Sequence, residues 1–171
     1  MRQGNVYWAC TNGGGKQFGQ IWRYRPSPAE GRTPEDQSPG ELELLFEPNH
    51  NRILQNADNL IVAPWGDLIV CEDSEERDHL VGITPEGGFY RLARNALNHS
   101  ELTGSTFSAD GTTLFGNIQD PGMTLAITGN WPTVQSEDGL GELRTEPREI
   151  TFAPGDNFCS DDLRFFVRMM L

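Results

Sequence analysis

Asp58, Glu72 and Asp73 are three carboxylates at the two ends of one stretch, DNLIVAPWGDLIVCED, running from Asp58 to Asp73. Within it the apolar runs Leu60 to Ala63 and Leu68 to Cys71 flank Pro64-Trp65-Gly66-Asp67. Short apolar runs closed by a Pro/Gly/Asp cluster predict a β-hairpin. Neighbouring strands are only ~5 Å apart, so the open ends of a hairpin lie side by side and its acids can meet at one rim. Carboxylate oxygens grouped in this way suit a hard cation, and the same residues equally suit a solvated strand end. Cys71 occupies an interior strand position, where a cysteine reads as a small buried hydrophobe rather than a ligand. Glu75, Glu76 and Asp78 read as a solvated loop. His50, His79 and His99 share no metal spacing and read as surface or turn residues.

The elements that must position these acids are short strands separated by turns. Asn5 to Thr11 (NVYWACT) is aromatic and β-prone, and Asn12-Gly13-Gly14-Gly15 reverses it. Gly19 to Arg25 (GQIWRYR) alternates as a half-buried strand does. Pro26 to Gly40 holds four Pro and two Gly and is expected to be a loop or linker. Glu41 to Glu47 reads as an outer strand. Beyond the hairpin come His79 to Thr84, a Pro85-Glu86-Gly87-Gly88 turn and Phe89 to Ala93. Glu101 to Phe107 then leads through Ser108-Ala109-Asp110-Gly111 into Thr112 to Ile118, and Met123 to Thr128 follows Pro121-Gly122.

A repeat underlies this order. Asp58 with Trp65-Gly66-Asp67-Leu68-Ile69-Val70 matches Glu101 with Asp110-Gly111-Thr112-Thr113-Leu114-Phe115 at an offset of 43 to 45 residues. A period of ~40–50 residues carrying four strand signals indicates β-propeller blades. The expected fold is therefore all-β, a partial β-propeller of about three four-stranded blades within residues 1–131. The tail 132–171 shows no blade pattern, and an extra strand, a short helix or a disordered extension all fit it. Glu101 opens an inner strand, which in a propeller lines the central channel; on its own residue type it is a cation ligand or an ordinary turn carboxylate. Arg91 and Arg94 can clamp a phosphate bidentately or form outer-strand salt bridges. Asn117 either contacts a ligand near the channel or caps a turn. Trp8, Trp22, Trp65 and Trp131 read as core and inter-blade packing.

Composition narrows the function classes. A net charge of −12, from 13 basic and 25 acidic residues, argues against a nucleic-acid partner, whose backbone demands a basic face. No run of about 18 apolar residues is present, so no membrane-spanning helix is expected. Three cysteines, Cys10, Cys71 and Cys159, are odd in number and lack CxxC spacing, so neither a disulfide framework nor a zinc site follows. The first residues carry no charged and apolar leader pattern, and the chain is expected to be cytoplasmic unless extended upstream.

Five segments together resemble the C-terminal part of PhoX-type alkaline phosphatases, secreted bacterial propeller phosphomonoesterases that use calcium and iron. They are Val6 to Thr11 with Gly13-Gly14, Gly19 to Tyr24, the Asp58–Asp73 hairpin, Phe89 to Asn95 with Glu101-Leu102-Thr103-Gly104, and Phe107 to Gly122 with its Asn117-Ile118-Gln119-x-Pro121-Gly122 signature. The resemblance covers residues 5 to 131. It implies that Glu101 is a metal ligand, with Asp58, Glu72 and Asp73 as further acidic ligands; Arg94 and Asn117 are the candidates for substrate. It further implies phosphomonoester hydrolysis, calcium and iron as cofactors, a phosphate monoester as substrate and an exported family. The family's N-terminal half, with its export signal and iron-binding cysteine, has no counterpart among these residues, so the chain resembles a member reduced to its C-terminal half, with self-association expected through open sheet edges. A calcium-dependent lactonase of the gluconolactonase type and a non-catalytic fragment that pairs with a partner chain are the alternatives.

Overall fold

The structure is a computed structural model that describes residues 4–50, 52–132, 150–152 and 166–170. It is all-β, as the sequence predicts, with one 3-10 turn at Thr33–Gln37 inside the Pro-rich loop. The chain divides into two compact units, Met1–Ala57 and Asp58–Leu171.

The first unit is an antiparallel meander of β1 (Val6–Cys10), β2 (Gln20–Arg25) and β3 (Glu41–Phe46). Register places Val6, Tyr24 and Leu42 in one cross-strand row and Trp8, Trp22 and Leu44 in the next, all on one face. That face is open: Val6 is 51% exposed, Leu42 60% and Trp8 37%, so Trp8 is not the core residue its type suggests. The opposite face carries Arg23, whose Nη2 lies 2.7 Å from Glu43 Oε2, and the fully buried Ile21.

In the second unit β4 (Ala57–Val62), β5 (Leu68–Glu72), β6 (His79–Ile83) and β7 (Phe89–Asn95) follow one another across one sheet. A second sheet holds β8 (Leu102–Phe107), β9 (Thr113–Ile118) and β10 (Met123–Thr128). From the tail, β11 (Ile150–Phe152) runs parallel beside β7 and β12 (Phe166–Met170) antiparallel beside β10. The rest of the tail, with Cys159, lies outside the described residues.

Three hairpins share one turn chemistry. Ala63-Pro64-Trp65-Gly66, Thr84-Pro85-Glu86-Gly87 and Ser108-Ala109-Asp110-Gly111 each close by a hydrogen bond from the glycine N–H to the first carbonyl, at 2.9, 2.9 and 2.8 Å. Each glycine has positive φ (+103°, +85° and +70°), a conformation costly for any residue with a Cβ. Ile69, Cys71, Leu80, Leu92 and Ala93 from the first sheet pack with Leu102, Leu114, Ile118, Leu125 and Ile127 from the second in one core. On the other face of β5 and β6, Leu68, Val70, Val81 and Ile83 are buried as well. Trp65 stacks on Trp131 with ring centroids 5.3 Å apart, and Phe107 meets both edge-on.

Gly82 illustrates how closely this sheet is built. It faces Tyr90 across β6 and β7, and a Cβ there would overlap the Tyr90 ring. The ring's hydroxyl donates to Asp67 Oδ2 at 2.7 Å, and Trp65 Nε1 donates to the same oxygen at 2.9 Å. Gly82→Ala must displace the ring and release that anchor. The expected loss is about 1–3 kcal/mol of unfolding free energy, measured by urea denaturation, and an unchanged midpoint would refute the packing described.

Candidate functional site

The three glycine turns of the second unit occupy one end of its strands, so the remaining connections gather at the other. These are Asp73 to Asp78 between β5 and β6, Ala96 to Glu101 between β7 and β8, and Gln119 to Gly122 between β9 and β10. The start of β4, with Asp58, belongs to the same end because β4 and β5 are adjacent and antiparallel in a hairpin. Asp58, Glu72, Asp73 and Glu101 thus share one rim.

The rim carboxylates differ in their surroundings. Asp58 and Asp73 are exposed and Glu101 is half-buried. Burial pushes the Glu101 carboxyl above its usual range, and Asp73, Asp58 and Asp78 add to the shift by repulsion. Asp78, expected in a solvated loop, is 1% exposed. It closes its own connection by accepting the Ser74 N–H on Oδ1 at 2.6 Å, while its buried Oδ2 has no hydrogen-bond partner. Burial raises its carboxyl too, against the Ser74 hydrogen bonds and with help from Glu72 and Asp73. Glu75 and Glu76 are exposed as expected.

Glu72 is differently engaged. It is 4% exposed, and its Oε2 lies 2.8 Å from Nδ1 of His79, which is 6% exposed in β6. The reading of His79 as a surface or turn residue is therefore corrected, because both faces of β5 and β6 are covered. His79 faces Arg94 across β6 and β7. His50 and His99 do lie in exposed loops, His99 with Nδ1 2.5 Å from the Glu76 carbonyl. Cys71 is fully buried, its Sγ 3.1 Å from Ser105 Oγ, and burial raises its thiol.

Asparagine amides fasten the strands behind the acids. Asn59 Oδ1 accepts from Thr103 Oγ1 at 2.5 Å and from the Gly104 N–H at 2.8 Å, tying β4 to β8. Asn117 donates through Nδ2 to the Thr103 carbonyl at 3.1 Å and accepts from Thr124 Oγ1 at 2.8 Å, so its amide spans β8, β9 and β10. Neither Asp78 nor Asn59 follows from motif reading. Asp78 had a signal, however: it immediately precedes β6 as Glu101 immediately precedes β8.

Among the described residues no three His, Cys, Asp or Glu side chains stand close enough together to ligate one ion. The donor set nonetheless fits a hard cation in kind: oxygen ligands only, mutual repulsion, and one buried carboxylate oxygen without a donor. Repulsion among four acids opposes the closer approach that shared ligation needs.

A pH dependence follows. Both Glu101 and Asp78 are raised, so the folded chain keeps protons on them where the unfolded chain has released them. Stability then falls as pH rises through the raised values and recovers as pH drops below them. In chelator-treated protein, Asp78→Asn and Glu101→Gln should each raise the melting temperature at neutral pH. The gain should shrink on acidification, once the wild-type acids are themselves protonated. Thermal melts across the carboxylate range check this, and a variant that melts lower than wild type at neutral pH would contradict it.

With this geometry in place, comparison with known proteins supplies the lineage. No curated protein and no solved structure matches the chain. The sequence profile of the family described as alkaline phosphatase PhoX matches residues 1–122. That match covers more than half of the chain and agrees with its all-β fold, and the chain belongs to the PhoX family of alkaline phosphatases.

Proposed function

We propose that the three meanders are blades of a β-propeller and that the acidic rim is the cation site of a phosphomonoester hydrolase. The family match supports phosphatase chemistry at the level of the family. The observation that carries the cation reading is Asp78, a carboxylate 99% removed from solvent by its 1% exposure, with Oδ2 unpartnered beside like charges. An isolated buried carboxylate is expensive to keep ionised, and a cation is the partner that offsets this cost. Asp58, Asp73, Asp78 and Glu101 are the residues we assign to hold it. Glu72, committed to His79, acts from behind them. Calcium and iron are both expected from the family resemblance, and a donor set of oxygens alone favours calcium.

Such a cation, when bound, supplies positive charge to the phosphoryl oxygens. The chain's residues orient and insulate it. Asp78 and Glu101, the two desolvated acids, would hold it together with the exposed Asp58 and Asp73. Arg94 is the residue we assign to the phosphate, since a guanidinium fork matches two of its oxygens. Asn117 contributes by holding β8 behind Glu101 rather than through a free amide.

Calcium should stabilise the folded chain by RT ln(1 + [L]/Kd), about 2.7 kcal/mol at a hundredfold excess over Kd. Differential scanning fluorimetry with and without millimolar calcium measures the shift, and Glu101→Gln should abolish most of it. Alongside, turnover of p-nitrophenyl phosphate and of a simple lactone should be compared with and without calcium. Lactone hydrolysis without phosphatase activity would replace this reading with the lactonase one, and the absence of any calcium effect would remove the cation site.

We also propose a second copy of the chain as a partner. Strands β1 and β3 are the edges of their sheet, and one face of that sheet is open and apolar. Unpaired edges template pairing with another chain. Static light scattering should show mass rising with concentration, and Trp8→Lys with Leu42→Lys should suppress the rise. A monomer at every concentration would exclude the partner.

A further inference from the structure

We propose that Asn95 is the positioning residue of the acidic rim, the buried amide that fixes Glu101 relative to Asp78. The inference rests on the cation reading above. Asn95 ends β7 and is 1% exposed. Its Oδ1 accepts the Leu97 N–H at 3.0 Å and the Asn98 N–H at 3.4 Å, while its Nδ2 donates to Asn98 Oδ1 at 2.8 Å and to the Ser100 carbonyl at 2.7 Å. Its own backbone N–H donates to the Asp78 carbonyl at 2.9 Å. One residue therefore anchors both connections that carry the desolvated acids.

The loop from Ala96 to Glu101 curls around this amide and is then tied to the β9–β10 connection. Asn98 Oδ1 accepts the Ser100 N–H at 3.0 Å, and Asn98 Nδ2 donates to the Asp120 carbonyl at 2.7 Å. The Asp120 N–H donates to Ser100 Oγ at 2.8 Å, and the Gln119 N–H to the Glu101 carbonyl at 3.1 Å. Glu101 thus sits between two gripped carbonyls, that of Ser100 held by Asn95 and its own held by Gln119. Its side chain enters the rim from a backbone with little freedom.

The chemistry of an amide suits this place. Two N–H donors and an acceptor are all used, and a satisfied buried polar network rigidifies what it connects. A carboxylate of the same shape would lack both donors and would add another negative charge to a rim already strained by repulsion. A shorter side chain could not reach the Ser100 carbonyl. Groups that orient ligands in this way without touching the metal typically change affinity about 10–100-fold when removed.

The test is calcium titration of the full chain by isothermal calorimetry, well below its melting temperature. Asn95→Ala should weaken the dissociation constant by about 10–100-fold. Leu125→Ala, a cavity in the core, should lower stability and leave calcium affinity unchanged. Wild-type affinity in Asn95→Ala would overturn the inference, and so would an equal weakening in Leu125→Ala, since the effect would then be one of general stability. If Asn95→Ala fails to fold, Asn95→Asp decides the matter. Its added charge favours a cation by simple attraction, so weaker binding despite that charge supports lost positioning, and equal or tighter binding overturns it. A wild-type chain that binds no calcium removes the cation reading itself, and this inference with it.

Discussion

Repulsion among carboxylates is the constraint that the second unit has to manage. Asp58, Asp73, Asp78 and Glu101 act on one another through space, and two of them are drawn away from water. Nothing in their own chemistry keeps them together. What does so is a set of neutral fasteners behind them. Asn59 joins β4 to β8, Asn117 joins β8 to β9 and β10, and Asn95 gathers the two acid-bearing loops. Amides suit this task because they supply donors and acceptors without adding charge. Glu72 pairs with His79 and still adds to the repulsion that Asp78 feels.

Those fasteners need a rigid base, and the apolar layer between the two sheets provides it. Ile69, Cys71 and Leu80 meet Leu114, Ile118 and Ile127 in one core. Burial of apolar area at roughly 25 cal/mol per Å² is the non-directional force that stacks the sheets. Register then converts stacking into placement, since a slip of one residue would turn every side chain of a strand to its other face. The glycine turns set that register at one end, leaving the connections at the other end to carry the acids. A core and a functional rim are in this way separate ends of the same strands.

Much of this was legible from the residues. The Pro-Trp-Gly-Asp and Ser-Ala-Asp-Gly clusters mark their turns because only glycine adopts their positive φ cheaply, and the strands between them follow from apolar runs bounded by such breakers. That Asp58 lies at the same end of the sheet as Glu72 and Asp73 followed from hairpin geometry alone. Cys71 as a buried hydrophobe followed from its position within an apolar run. The failures are of a different kind. Asp78 and His79 look like loop residues because the local sequence around them is charged, yet their burial is decided by a sheet covered on both faces. The Glu72–His79 pair depends on cross-strand register, which no local pattern states. Trp8 is aromatic and β-prone, and its exposure reflects the open face of a three-stranded sheet. Asn95 stood inside a recognised motif, but its role lies in hydrogen bonds to a loop whose path the sequence does not reveal.

The contact between Cys71 and Ser105 has a further use. Cys71 is fully buried with its thiol held in the unreactive protonated form, whereas Cys10 is only half-buried. The thiolate is the species that alkylating reagents attack. Cys71 can therefore be modified only when β5 parts from β8 and admits the reagent. With reagent in enough excess that modification outpaces reclosing, Cys71 alkylation reports how fast the two sheets of the second unit separate, and mass spectrometry of the Cys71 peptide can read it without a residue being replaced.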